Sequence, residues 1–195
     1  MFPPDEHTEI ETLVGYLEVQ LEALRASAHG LSDAQARATP TRSTLSVGGL
    51  LKHATNVLGG SAQVEEEVEV TPEMQAGFGA SSALTDEEPL EEVRERFDTT
   101  ARAHLDGVRT LDPDEPTTEP SAPWAGVLRA TTVRRRYQLV HHVEELARHA
   151  GDADILHEQL DGATALSLQT AVRGLPGNDF VQPWRPGGSD APVTD

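Results

Sequence analysis

In four long stretches of this chain the apolar residues recur every three or four positions, the spacing that gathers them on one face of an α-helix. Ile10, Leu13, Leu17, Val19, Leu21 and Leu24 fall at mixed spacings of this kind within residues 5–28, and Val47, Leu50, Leu51, Ala54, Val57 and Leu58 within 46–58. Val93, Phe97, Ala101, Leu105 and Val108 repeat the pattern within 85–111, and Leu139, Val140, Val143, Leu146 and Ala150 within 131–150. Strand-like alternation is almost absent, so the pattern predicts an all-α protein, an up-and-down four-helix bundle.

Punctuation agrees with the stripes. Ser32-Asp-Ala-Gln35 has the form of a capping box and opens a short helix that stops before Pro40. Ser46 is placed to cap the second long helix, and Thr85-Asp-Glu-Glu88 with Pro89 predicts the start of the third. Residues 152–162 continue or restart the fourth long helix, and 163–172 suit a last short one. Residues 64–70 read as an acidic helical extension or loop, 71–84 as a loop, and 111–126 as a Pro-rich crossover. The expected organisation is one domain over 5–175 and a Pro/Gly-rich tail over 176–195. Phe180 and Trp184 are the tail's apolar anchors, should it close over the rest; partial disorder is the favoured expectation.

Charge and composition narrow the function. With 33 acidic against 15 basic residues the net charge is -18, which argues against a nucleic-acid partner. The one basic cluster, Arg134-Arg-Arg136, reads as a solvated helix face. No run approaches the roughly 20 apolar residues that cross a bilayer, and the N-terminus lacks signal-peptide character. A cytoplasmic protein without membrane contact is expected. The chain has no cysteine, so disulfides, thiolate metal ligands and a cysteine nucleophile are all excluded. Thiol chemistry here would need a thiol brought by a substrate.

The chemistry concentrates in the fourth long segment. At about 100° per residue, His141, Asp152, Glu145, Gln138, His149 and His142 fall within about 100° of arc beside the apolar stripe. Glu145 and His149 stand at i and i+4, one turn apart, so a carboxylate and an imidazole can share one cation. His53 lies at the edge of the second helix's stripe, where a ligand from a neighbouring helix must sit. The bland readings stand beside this one: a surface Glu–His pair for Glu145 and His149, and a half-buried core histidine for His53. Together they require coincidence.

Thr44-Leu-Ser-Val-Gly-Gly-Leu-Leu-Lys-His53 followed by His141-His-Val-Glu-Glu-Leu-Ala-Arg-His-Ala-Gly-Asp-Ala-Asp-Ile-Leu-His157 resembles the DinB-like superfamily. The nearest branch contains the mycothiol-dependent S-transferases and the N-terminal domain of mycothiol-dependent maleylpyruvate isomerase. The resemblance spans roughly residues 8–170. It implies a DinB-like four-helix bundle, sometimes a homodimer, holding one divalent metal on His53, Glu145 and His149. Zinc is the usual ion, and such a donor set also accepts nickel, manganese or iron. The implied partners are a small-molecule thiol, mycothiol or a similar sugar thiol, and an electrophile, with no protein nucleophile.

Two positions depart from the family pattern. Asp152 stands where many relatives have a further histidine, and Leu45 where a tryptophan often precedes Ser46. His142 carries no family role and is a supporting group at best. Two other functions stay open: a non-catalytic metal-binding stress or scaffolding bundle, favoured by a closed site using Asp152, and a metal-dependent hydrolase with Glu144, His142 or Asp152 as base.

Overall fold

Each helix begins where a side chain satisfies its first backbone amides. The computed structural model describes residues 2–59, 69–74, 77 and 81–186. Helix α1 (Glu9–Ser27) starts at Thr8, whose hydroxyl accepts from the Glu11 amide while Glu11 reaches back to Thr8. The same reciprocal box, Ser32 with Gln35, opens α2 (Asp33–Arg37). Ser46 Oγ accepts from Gly49 N at 3.1 Å and starts α3 (Val47–Leu58). The caps at Ser32 and Ser46 follow the sequence reading; the box at Thr8 lies inside a segment that the reading started at about Asp5.

Helix α4 (Leu90–Val108) begins later than the expected Thr85. Glu88 precedes Pro89, and the proline ring disfavours helical backbone in the residue before it. Residues 85–88 instead form a turn closed by the Glu88 amide on Thr85 O. The Glu88 carboxylate meets Lys52 Nζ at 2.8 Å and Arg96 at 3.2 Å.

The Pro-rich crossover holds a departure from the all-α expectation. Strands β1 (Pro116–Glu119) and β2 (Thr131–Arg134) pair antiparallel, with Pro116 opposite Arg134 and Glu119 opposite Thr131. Thr117, Thr118, Thr131, Thr132 and Val133 are β-branched and favour extended backbone, and Pro116 occupies the first position, where a strand tolerates it. Four-residue strands are too short to show a periodicity, so the pattern assigned this stretch to a loop and a helix start. Among the described residues the protein is mostly helical with one small two-stranded sheet. Helix α5 (Arg135–Asp161) follows β2 directly and runs unbroken through Gly151 to Gly162, whose φ of 85° ends it. A short α6 (Ala165–Val172) closes the helical part, capped by Thr164.

Helix α1 packs on α5, α4 and α6, while α3 packs on α4 and α5. Leu17, Leu24, Leu50, Leu51, Phe97 and Leu146 are fully buried between them, each contributing about 1.5–3 kcal/mol. A second, smaller cluster joins Ala26, Ala163, Leu168 and Trp184. Trp184 therefore anchors the first part of the tail against the end of α1 and α6, whereas Phe180 is 97% exposed. The acidic residues 64–68 and the tail beyond 186 lie outside the described residues. Among the described residues no helix is long and apolar enough to cross a membrane.

Candidate metal centre

Packing of α3 against α5 is what brings the site together. Leu50, Leu51 and Ala54 of α3 and Leu146 and Ala150 of α5 are buried in the same core. His53, at the edge of the α3 stripe, thereby faces the polar flank of α5. Its Nε2 lies 3.2 Å from Glu145 Oε1, and His149 Nε2 lies 3.1 Å from that same oxygen. The two imidazole rings stand nearly perpendicular with centroids 4.7 Å apart. All three side chains are partly buried, His149 most of all at 16% exposure. Hydrogen bonds from His149 and then His53 hold the Glu145 carboxyl well below the usual carboxylate range, against the opposing effect of burial.

One donor atom from each of His53, Glu145 and His149 lies within 4.8 Å of the others. Around a tetrahedral ion with bonds near 2.0–2.1 Å, donor atoms sit about 3.3 Å apart. The two contacts to Glu145 already have that spacing, and two imidazole nitrogens with one carboxylate oxygen suit a borderline divalent ion. The donor set therefore fits the implied metal.

A polar group also stands behind each imidazole, on the nitrogen away from Glu145. Ser82 Oγ lies 3.4 Å from His53 Nδ1, and Asp152 Oδ2 lies 3.8 Å from the buried His149 Nδ1. Asp152 thus flanks the far side of a ligand candidate, outside the three-residue group. Ser82 arrives by design of the local sequence. Lys52 Nζ donates to Ala83 O and Asn56 Nδ2 to Ser81 O, pinning residues 81–83 along α3. Gly49 makes room for this strap, because a Cβ there would overlap Ser82 O.

The other ionisable groups of α5 disperse. His141 lies 3.6 Å from Glu144, which pairs with Arg148 at 2.7 Å, both contacts on the exposed side. Gln138 bonds Glu119 of the hairpin. His142 meets His104 of α4, with ring centroids 5.1 Å apart. The sequence reading passed over His104; its only signal was a histidine amid the apolar stripe of α4, beside Leu105. His157 was likewise not singled out. It is fully buried, with Nδ1 2.6 Å from Ser27 O and Nε2 3.3 Å from Asp161.

The family model described as Mycothiol-S-transferase matches residues 12–162. The chain belongs to that family. No curated protein matches it in sequence. In fold it is similar to the crystal structure of a conserved protein from Enterococcus faecalis, with a TM-score of 0.55 and 14% identity over 80% of this chain and 99% of that one.

Proposed function

We propose that this member of the mycothiol-S-transferase family is a metal-dependent thiol S-transferase whose four long helices form an up-and-down bundle around the site. His53, Glu145 and His149 hold one divalent ion, zinc before nickel, manganese or iron. The observation that carries the reading is the convergence of these three donors, from two helices, within 4.8 Å in a chain of this family.

Bound there, a divalent ion lowers the pKa of an entering thiol and favours its thiolate. The chain supplies the setting. Glu145 stays ionised throughout the working pH range and balances the positive charge. Ser82 Oγ within 3.4 Å of His53 Nδ1 and the Asp152 carboxylate 3.8 Å from His149 Nδ1 stand behind the two imidazoles, on the side away from the nitrogens that would ligate. With no cysteine in the chain, the nucleophilic sulfur belongs to the co-substrate, mycothiol or a similar sugar thiol. In the transfer, sulfur would bond to the electrophilic carbon as the leaving group departs with its bonding pair, and the thiol proton would go to solvent or to that leaving group.

A fully closed, structural metal site would need a fourth protein donor. Asp152 addresses the far nitrogen of His149 instead, which supports an exchangeable fourth position over the scaffolding reading.

The test combines elemental mass spectrometry with a thiol-consumption assay. The native chain should carry one ion on this triad and consume mycothiol in the presence of an electrophile; His53→Ala and Glu145→Ala should lose both properties. Full metal content and full thiol transfer in His53→Ala would overturn the assignment.

A further inference from the structure

We propose that His104 and His142 form a second transition-metal site, one helical turn from the first. His142 precedes Glu145 by three residues on α5, which places it about 5 Å along the helix axis from that carboxylate. His104 comes from α4, so the pair joins two helices, as His53 and Glu145 do.

Two independent features of the pair point to an ion. Among the described residues, His104 Nε2 and His142 Nδ1 are each buried and without a hydrogen-bond partner. Polar atoms are seldom left that way, and one Lewis acid between the rings satisfies both lone pairs at once. The ring spacing agrees. Two imidazoles bound to one tetrahedral ion through bonds near 2.0–2.1 Å have centroids about 5 Å apart. The observed separation is 5.1 Å, beside 4.7 Å for the imidazoles of the triad.

The protonation state favours ligation as well. Burial lowers both imidazoles from their ordinary value, His142 to about 4, with His104 and His141 adding to the effect and Glu145 opposing it. Both rings are therefore neutral at pH 7, and no proton has to be displaced for metal to bind. Two imidazoles without thiolate select borderline ions such as zinc, copper(II) or nickel over magnesium or calcium. Solvent completes the coordination sphere. The site is independent of the triad in its ligands and so stands or falls separately from the proposed function.

Equilibrium dialysis against zinc, read by elemental mass spectrometry, tests this on the native chain and on His53→Ala, His104→Leu and His142→Leu. Leucine fills the volume and removes the unpartnered nitrogen, so these variants should fold, which circular dichroism verifies. The expected result is two ions per native chain and one fewer in each of the three variants. Zinc content unchanged from native in both leucine variants overturns the second site, a bridging water then being the partner of the two rings. If His104→Leu loses an ion and His53→Ala loses none, the second site stands and the triad assignment fails. The reverse pattern leaves the triad and removes the pair.

Discussion

His53 and Glu145 stand 92 positions apart in the chain, and their Nε2 and Oε1 atoms lie 3.2 Å apart in the fold. His149 reaches the same oxygen from one turn further along α5. A single carboxylate oxygen is flanked by two imidazole nitrogens, and hydrogen bonds from both keep it ionised. Around a cation the same closeness lets all three groups direct lone pairs toward one point.

Groups behind the imidazoles should set metal affinity without ligating. Ser82→Ala and Asp152→Asn are each expected to weaken zinc binding by about 10-fold, toward the lower end for such supporting contacts. Competition with a chromophoric chelator measures it. Unchanged affinity in both variants would show that the rings are held by packing alone.

Gly49 should be intolerant of any side chain. A Cβ at this position overlaps the Ser82 carbonyl, a backbone group that cannot swing aside. Gly49→Ala is expected to lower stability by about 1–3 kcal/mol through overpacking. It should also shift Ser82 away from His53, so zinc affinity falls with stability. Urea unfolding and the chelator competition, run together, check both halves.

Asp154 gives the protein a pH-dependent weakness. Burial raises its carboxyl from 3.8 to about 6, with His157 opposing the shift. A folded-state value above the unfolded one means that the stabilising contribution is full below pH 3.8 and lost as pH rises through 6. At neutral pH the charged form is buried at a cost, so Asp154→Asn should stabilise the fold by about 1–3 kcal/mol at pH 7. The gain should vanish at pH 4. Thermal melts of both proteins at the two pH values decide it; an equal gain at pH 4 would place the effect elsewhere.

The tail's anchor depends on one glycine. Gly30 has a φ of 76°, and a Cβ there would overlap the Trp184 ring. Trp184 packs edge-on beside His29, and its amide donates to Ser167 O at 3.0 Å. Gly30→Ala should cost about 1–3 kcal/mol from backbone strain and the displaced indole together. Tryptophan fluorescence should shift toward that of a wetter indole, while metal content stays at the native level.

Helix caps at Ser32 and Ser46 could be read from the chain because a cap is a relation among residues three apart. Glu145 with His149 was legible for the same reason: i and i+4 share a face in any helix. The start of α4 was misplaced because Pro89 restricts Glu88, a local effect that outweighed the favourable first-turn charges. The hairpin of β1 and β2 escaped because its strands are too short for alternation to register and are matched across 11 intervening residues, where no local spacing reports the pairing.

By itself the sequence determined most of the residues that face inward on each helix, though not Val140, which is 55% exposed, together with the pairing of Glu145 with His149 and the exclusion of cysteine chemistry. All three follow from composition or from distances within one helix. Only the tertiary structure decided that Ser82 stands behind His53, that His142 meets His104, and that Trp184 closes over Gly30. Those contacts depend on how far each helix slides and turns against its neighbour. That register is set by the interlocking of Leu50, Leu51, Phe97 and Leu146 in the shared core, a property of several segments at once that no single stripe contains.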